Sequence, residues 1–198
     1  MNLMRFHARP LAAVLLISML LLATACSDTQ VPETGLDRGE AERLGFMVSP
    51  EPTEVPPLEF TDDERIPHTL ADFRDQVVVL NLWATWCAPC REEMPALEAL
   101  QTELGDEGVV VLPLSIEHDG IEPAQDFYRA LGLEQLGSYH DGSGTAVAKL
   151  GIPGVPSTLI IDPTGREVAR LVGEHEWDHP DTVALLRSFA TSSREHGP

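Results

Sequence analysis

Two cysteines separated by two residues are the first feature of the chain that could do chemistry. They lie in the run Trp86-Cys87-Ala88-Pro89-Cys90, between an apolar β-rich stretch and a predicted helix. In the first turn of a helix the backbone N–H groups are unpaired and the macrodipole is positive, so the pKa of the Cys87 thiol falls. Because this spacing brings both sulfur atoms within bonding distance, Cys87 can attack a disulfide and Cys90 can resolve the mixed disulfide that forms.

A structural zinc site and a permanent disulfide are the two other uses of such a pair. A zinc site needs a second pair of ligands at short spacing, and the histidines downstream of the pair are scattered. A disulfide between cysteines three residues apart would constrain almost none of the unfolded chain, so it would add little stability. The acidic, histidine-containing run 174–179 is interpreted as a solvated approach to the last helix. The pattern favours a redox-active pair.

Hydrophobic periodicity indicates the elements that must position this pair. Buried strands are predicted over residues 76–83, 109–116, 157–161 and 167–172, and helices from the cysteine pair to residue 104, over 123–131 and over 145–150. A last helix is predicted to begin within residues 178–181, where Asp178 can cap its first N–H groups. This order of strands and helices predicts an α/β fold with a mixed central sheet flanked by helices.

Composition excludes several kinds of partner. The 198 residues carry 13 basic and 32 acidic side chains, a formal charge of −19, while 43% of them are hydrophobic, which is enough for a folded core. A nucleic-acid binder must neutralise phosphates with Lys and Arg, and this chain would repel them. Anionic lipid surfaces are excluded for the same reason, so membrane contact is expected only through the N-terminus.

The N-terminus has the pattern of an export signal. Residues 1–25 combine two arginines, no acid and a long apolar run, which predicts a signal peptide or an uncleaved signal anchor. Cys26 follows directly, in a stretch that resembles the lipobox of bacterial lipoproteins, so lipidation of Cys26 is a third possibility. All three interpretations place the rest of the chain in the periplasm, anchored by lipidated Cys26 or by the uncleaved segment, or released there after cleavage.

Residues 26–57 hold five prolines among many acidic residues and show little apolar periodicity apart from a short helix possible over 36–46. Such a composition is typical of an extended, self-repelling linker. The sequence therefore predicts an acidic, proline-rich tether over residues 26–57, followed by a single domain over residues 58–198.

Two motifs carry a resemblance to a known family. Residues 78–95 (VVLNLWATWCAPCREEMP) and residues 151–165 (GIPGVPSTLIIDPTG) resemble the active-site passage and the second conserved block of the exported TlpA/ResA-like thiol–disulfide oxidoreductases, within the thioredoxin superfamily. The resemblance implies a thioredoxin-like fold and a redox-active disulfide with no other cofactor and no metal. It also implies that Pro156 follows a cis peptide bond and faces the cysteines, so that Pro156, the Val155 backbone and Trp86 would meet the substrate.

The resemblance has a consequence for the proton that Cys90 must lose. Thioredoxin has a buried aspartate at the position of Asn81, and an amide cannot accept that proton. The family's substitute is a glutamate three residues after the second cysteine, which is Glu93 here. A partly buried Glu93 on the same helix face as Cys90 would serve as the proton acceptor. The alternative is a surface acid that only favours the helix dipole. Trp83 is expected either near the site or in the core.

The partners implied by the resemblance are exported disulfide-containing proteins, such as apocytochromes c, copper-site proteins or their chaperones, and a membrane electron donor of the DsbD/CcdA type. A disulfide reductase is the preferred function. A disulfide oxidase or isomerase would use the same residues in the opposite direction, and a metallochaperone would use both thiolates to hold Cu(I).

Overall fold

A mixed eight-stranded sheet runs through the computed structural model, which describes residues 35–195. The strands are β1 (Met47–Glu54), β2 (Glu59–Thr61), β3 (Pro67–Thr69), β4 (Val77–Trp83), β5 (Val109–Ser115), β6 (Tyr139–His140), β7 (Ser157–Ile161) and β8 (Arg166–Val172). The helices are α1 (Arg38–Arg43), α2 (Ala88–Leu104), α3 (Glu122–Leu131), α4 (Ala146–Lys149) and α5 (Pro180–Glu195), with short 3₁₀ turns at Leu70–Phe73 and Gly105–Glu107.

The sheet order is β1-β8-β7-β4-β5-β6-β2-β3, with β4 parallel to β5 and antiparallel to β7. The four buried strands and the helices predicted from the sequence are all present, and the predicted mixed sheet flanked by helices is confirmed. Strand β4 is buried along its whole length, because it has strands on both sides and side chains packed on both faces. The C-terminal end of this central strand carries the cysteine motif.

Alternation along β4 separates two hydrophobic clusters. Val77, Val79 and Trp83 contribute to the cluster that also holds the apolar faces of α2 and α5. Leu80 and Leu82 contribute to the cluster on the opposite face, where α4 packs. Because side chains alternate between faces, Asn81 is directed toward the α2 side of the sheet.

The short helix that the sequence allowed over residues 36–46 is present as α1, but the predicted tether is wrong over β1 and over the packing of α1. The side chain of Asp37 caps α1 by accepting a hydrogen bond of 3.0 Å from the Glu40 N–H, and β1 pairs antiparallel with β8. Leu36, Ala41 and Phe46 are buried in the main cluster. The described residues therefore extend the folded unit well before residue 58.

The reason for this error is the position of β1 at the edge of the sheet. An edge strand is half exposed, so it tolerates acids and prolines that hide its pattern. Its partner β8 lies more than 110 residues later, and no local signal announces such a pairing.

The predicted signal segment of residues 1–25, and Cys26, lie outside the described residues. Within residues 35–195 no helix is both long enough and apolar enough to cross a bilayer.

Candidate active site

The two cysteines lie at the N-terminus of α2, directly beyond the central strand. Cys87 is the N-cap, with extended backbone angles of φ −90° and ψ 108°, and Cys90 lies in the first helical turn. They form a disulfide with an S–S distance of 2.10 Å and a Cα–Cα distance of 5.3 Å. The Cys90 N–H donates to Cys87 Sγ over 3.3 Å, and Pro89 lacks the N–H that would be left unpaired there.

The two sulfur-bearing residues differ in accessibility. Cys87 is 6% exposed, whereas Cys90 is fully buried at 0%. Trp86, which precedes Cys87, is 60% exposed despite its large apolar ring. A partner protein can therefore approach Cys87 past Trp86, while Cys90 is reached only from within the pair.

A turn from the second motif faces Cys87. The peptide bond between Val155 and Pro156 is cis, and the Val155 carbonyl oxygen lies 3.6 Å from Cys87 Sγ. The turn leads into β7, whose first residue Ser157 pairs with Leu82 near the end of β4. The Pro156 carbonyl accepts a hydrogen bond of 2.9 Å from the Gly173 N–H, which ties the turn to the end of β8.

Glu93 is buried behind the pair on the same helix, with only 4% of its surface exposed. Its Oε1 accepts a hydrogen bond of 2.8 Å from Asn81 Nδ2 on β4. Its Oε2 accepts one of 3.1 Å from Trp177 Nε1 and one of 3.3 Å from the His175 backbone N–H. The carboxylate thus links α2 to the central strand and to the loop between β8 and α5.

Burial raises the pKa of Glu93 to about 7, and the nearby charge of Glu174 acts in the same direction. The three hydrogen bonds donated to the carboxylate oppose this shift, because they favour the ionised form. A carboxyl with a pKa near neutrality can both accept and release a proton under ordinary conditions.

The loop that covers Glu93 was predicted to be a solvated approach to α5. That interpretation is wrong for His175 and Trp177, whereas the other four residues of the run 174–179 are exposed. Trp177 is 0% exposed, and the His175 ring is half-buried, with its Nε2 2.9 Å from Thr182 Oγ1. Burial also lowers the pKa of His175. The acids and histidines beside Trp177 concealed its role, since the run has no apolar period.

A cavity of about 690 Å³ adjoins the buried carboxyl. It lies between Pro89 and Glu93 of α2, the end of α1 at Arg43, and the loop that contains His175 and Asp178. Glu93 therefore has a side directed to this cavity as well as one directed into the protein.

Comparison with known proteins decides the family. The sequence profile of the AhpC/TSA family matches residues 53–168, more than half of the chain. The chain belongs to the AhpC/TSA family. ResA of Bacillus anthracis, a thiol–disulfide oxidoreductase, is 30% identical over 121 residues, which cover 61% of this chain and 69% of ResA. DsbE of Pseudomonas aeruginosa, a thiol:disulfide interchange protein, is 34% identical over 105 residues, covering 53% and 56% of the two chains.

Solved structures agree with the fold of this AhpC/TSA-family member. A DsbF homologue from Corynebacterium diphtheriae superposes with a TM-score of 0.60 at 29% identity, covering 70% of this chain and 90% of that one. A DsbE-type protein from Chlorobium tepidum gives a TM-score of 0.61 at 23% identity, with 72% and 96% covered, and supports the thioredoxin-like fold. The predicted resemblance to ResA-like proteins is confirmed, and the protein is a thiol–disulfide oxidoreductase.

One residue near the site of this AhpC/TSA-family member, Glu117, lies outside both sequence motifs. Glu117 lies just beyond β5, is buried, and its Oε1 accepts a hydrogen bond from the Thr85 N–H in the loop before Cys87. Arg91 Nη1 donates to the Thr85 carbonyl over 3.0 Å. Both backbone groups of Thr85 are thereby held. The sequence predicted strands β4 and β5 but not their parallel pairing, and it is this pairing that places Glu117 beside the loop after β4.

Trp83 belongs to the core. Its ring packs against Phe127 and Tyr128 with centroids 5.5 and 5.9 Å away, and its Nε1 has no hydrogen-bond partner among residues 35–195. Of the two positions expected for Trp83, near the site or in the core, the structure shows the core. Within the same described range, no cluster of three or more His, Cys, Asp and Glu side chains is arranged to hold a metal ion.

Proposed function

We propose that this oxidoreductase is exported and reduces disulfides in other exported proteins through Cys87 and Cys90. The observation that carries the proposal is the asymmetry of the pair: Cys87 is reachable beside Trp86, and Cys90 is buried on the helix that holds Glu93. A dithiol that attacks large partners needs one accessible sulfur and one that is shielded from them.

The first step joins enzyme and substrate. The Cys87 thiolate attacks one sulfur of the substrate disulfide, the Cys87–substrate S–S bond forms, and the substrate S–S bond breaks to release a thiolate. The N-terminal end of α2 stabilises the negative charge on Cys87 before the attack.

The second step releases the substrate. The Cys90 thiol transfers its proton to the Glu93 carboxylate, and the resulting thiolate attacks Cys87 Sγ. The enzyme disulfide forms, and the second substrate thiolate leaves. Two electrons have moved from the cysteine pair to the substrate, and the enzyme reaches the disulfide state seen in the structure. No further cofactor takes part.

Docking would use the surface around Cys87. The Val155 carbonyl, 3.6 Å from Cys87 Sγ, would accept a hydrogen bond from an extended substrate backbone, and Pro156 shapes the turn that presents it. Trp86 offers an exposed aromatic face of the kind that dominates protein interfaces. These contacts suit a segment that lies across the pair in extended form.

The protein would work in the periplasm, where its cysteine pair must be reduced again after each reaction. The signal pattern of residues 1–25 supports export to the periplasm, with lipidation of Cys26 or an uncleaved segment as the anchor. A thiol pair in an oxidising compartment needs continual reduction, which a membrane electron donor of the DsbD/CcdA type would provide. Apocytochromes c, copper-site proteins and their chaperones are the proposed substrates.

An isomerase is the second candidate. A secreted thiol–disulfide isomerase from Corynebacterium glutamicum superposes with a TM-score of 0.59 at 28% identity, covering 71% of this chain and 91% of that one. An isomerase would use Cys87 and Cys90 to rearrange substrate disulfides with no net transfer of electrons.

The reduction potential of the Cys87–Cys90 pair, measured by equilibration with dithiothreitol buffers, tests the direction. A value near that of thioredoxin, about −270 mV, is expected for a reductase. A value near about −120 mV, typical of a strong oxidant, would contradict the proposal.

Replacement of one cysteine tests the order of attack. C90S is expected to accumulate a mixed disulfide with a model substrate at Cys87, because the resolving thiol is missing. C87S is the matched control and is expected to trap nothing. Binding of Cu(I) by the reduced wild-type chain without any trapping by C90S would favour the metallochaperone instead.

A further inference from the structure

The two oxygens of the Glu93 carboxylate have different kinds of partner. Oε2 receives hydrogen bonds from the Trp177 indole and from the His175 backbone, at 3.1 and 3.3 Å. Oε1 receives one from the Asn81 side-chain amide at 2.8 Å. The carboxylate is therefore asymmetric although its two oxygens are chemically equivalent.

This asymmetry decides where a proton can be placed. An indole N–H and a backbone N–H can only donate, so a proton on Oε2 would face two donors, find no acceptor among them and weaken both hydrogen bonds. An amide side chain has both a donor and an acceptor end. Asn81 Oδ1 is buried and has no hydrogen-bond partner among residues 35–195, so this oxygen can still accept a hydrogen bond.

We propose that Trp177 is a positioning residue that keeps Oε2 unprotonated and so directs the proton from Cys90 to Oε1, where the Asn81 amide accommodates both protonation states. The inference rests on the proposed function, because it concerns the proton that Glu93 accepts there. Trp177 acts through Glu93, to which its indole donates a hydrogen bond.

The proton transfer balances without any further reactant. The S–H bond of Cys90 breaks, an O–H bond forms on Glu93 Oε1, and the charge moves from the carboxylate to the sulfur. A half-turn of the Asn81 amide then lets Oδ1 accept from the new O–H group. Thr158 Oγ1, which now accepts from Asn81 Nδ2 over 3.0 Å, donates to Oδ1 instead, since a hydroxyl can do either.

Other charged groups face the Glu93 carboxyl and also influence its pKa. They come from α2, from α1 and from the loop between β8 and α5, and they are Glu92, Arg43, Glu174, His175, Glu176, Asp178 and His179. Most of them are acidic and lie on the cavity side. None of them is altered when the indole N–H alone is removed.

Two buried tryptophans provide a matched pair of variants. W177F removes an indole that donates to Glu93, and W83F removes an equally buried indole whose N–H has no partner among the described residues. Both variants lose similar core volume. Only the first should change the ionisation of Glu93.

The test follows the titration of ¹³C-labelled Glu93 in the oxidised full chain. W177F is expected to raise the pKa of Glu93 by about one unit, a tenfold change in the proton equilibrium, because a donor to the ionised form is lost. W83F is expected to leave that pKa unchanged. No shift in W177F, or an equal shift in both variants, would overturn the proposal.

An infrared measurement on the wild-type chain keeps the proposal testable if W177F does not fold. Protonated Glu93, identified by the band that disappears in E93Q, is expected to show a carbonyl stretch at low frequency, because Oε2 as the carbonyl accepts two hydrogen bonds. A stretch at the higher frequency of a carbonyl that accepts a single hydrogen bond would place the proton on Oε2, with Oε1 bonded to Asn81 Nδ2, and would contradict the proposal.

Failure of the proposed function would be recognised separately. If E93Q left the pH profile of disulfide reduction unchanged, Glu93 would not be the proton acceptor in turnover. The titration of Glu93 in W177F and W83F would still report whether Trp177 controls the carboxyl.

Discussion

The ring of Phe46 packs edge-on against the indole of Trp177, with ring centroids 6.0 Å apart and planes inclined at 66°. Phe46 also contacts the His175 ring, at 5.3 Å. The residue that leads into the edge strand β1 thus supports the loop that covers Glu93. The N-terminal elements of the described unit and the buried carboxyl beneath the active site are connected through this aromatic group.

Loss of the Phe46 ring should lower the stability of the folded chain. Phe46→Ala is expected to lower the free energy of unfolding by about 3–5 kcal/mol, as for other buried phenylalanines. Denaturant unfolding measures this loss. A chain shortened to begin at residue 58 should lose more, because it lacks α1 and β1 altogether. Unfolding of that shortened chain at the same denaturant midpoint as the full chain would contradict the structure.

Glu93 should make stability depend on pH in a defined direction. The unfolded chain loses the Glu93 proton near its ordinary pKa of 4.5, whereas the folded chain keeps it until about pH 7. Between these values the folded state binds more protons, so the free energy of unfolding falls as the pH rises. The fall attributable to Glu93 is about 3 kcal/mol, complete once the pH exceeds 7.

E93Q isolates this contribution from the other titrating groups. The difference in the free energy of unfolding between wild type and E93Q, followed from pH 4 to pH 8 by denaturant titration, should change across that window. A constant difference at every pH would show that Glu93 is not desolvated in the folded chain.

Trp86 should matter for protein substrates and not for small thiols. Trp86→Ala is expected to lower kcat/KM toward a disulfide-containing protein by about tenfold, the loss of one aromatic anchor. The rate of reduction of the enzyme by dithiothreitol should stay within about twofold, since no protein surface is then buried. Leu131→Ala, which removes another exposed apolar side chain at the end of α3, is the control and should change neither rate.

Glu117 should be needed as a hydrogen-bond acceptor and not as a charge. Glu117→Ala leaves the Thr85 N–H without its partner, at a cost of about 1–3 kcal/mol in stability, and loosens the loop before Cys87. Disulfide reduction by this variant should slow. Glu117→Gln keeps an acceptor oxygen and should retain most of the activity. Equal activity in both variants would show that the hydrogen bond from the Thr85 N–H to Glu117 does not affect the reaction.

The sequence was sufficient for the parts of the fold with a strong local pattern. The continuous apolar run of β4 and the spacing of Met94, Leu97, Leu100 and Leu104 on α2 indicated their elements directly. The cysteine pair could be placed between them for the same reason. Each of these features is fixed by residues near one another in the chain.

The remaining features depend on residues that are distant in the chain. Trp177 and Glu93 are 84 residues apart, and the run around Trp177 has the composition of a solvated loop. Its indole packs against Phe46 and donates to the Glu93 carboxylate, and no periodicity in the sequence indicates either contact. Glu117 was missed for the same reason, since its partner Thr85 is 32 residues earlier.

The outermost strands of the sheet both contain proline. Strand β1 carries Pro50 and Pro52 where its pairing with β8 is irregular, and the three-residue β3 begins at Pro67 on the opposite edge. A protein that handles unfolded, extended chains risks having them add to its own sheet as extra strands. Missing N–H groups and a short outer strand remove the template for such growth, so an extended substrate of the proposed kind would react at Cys87 without adding to the edges of the sheet.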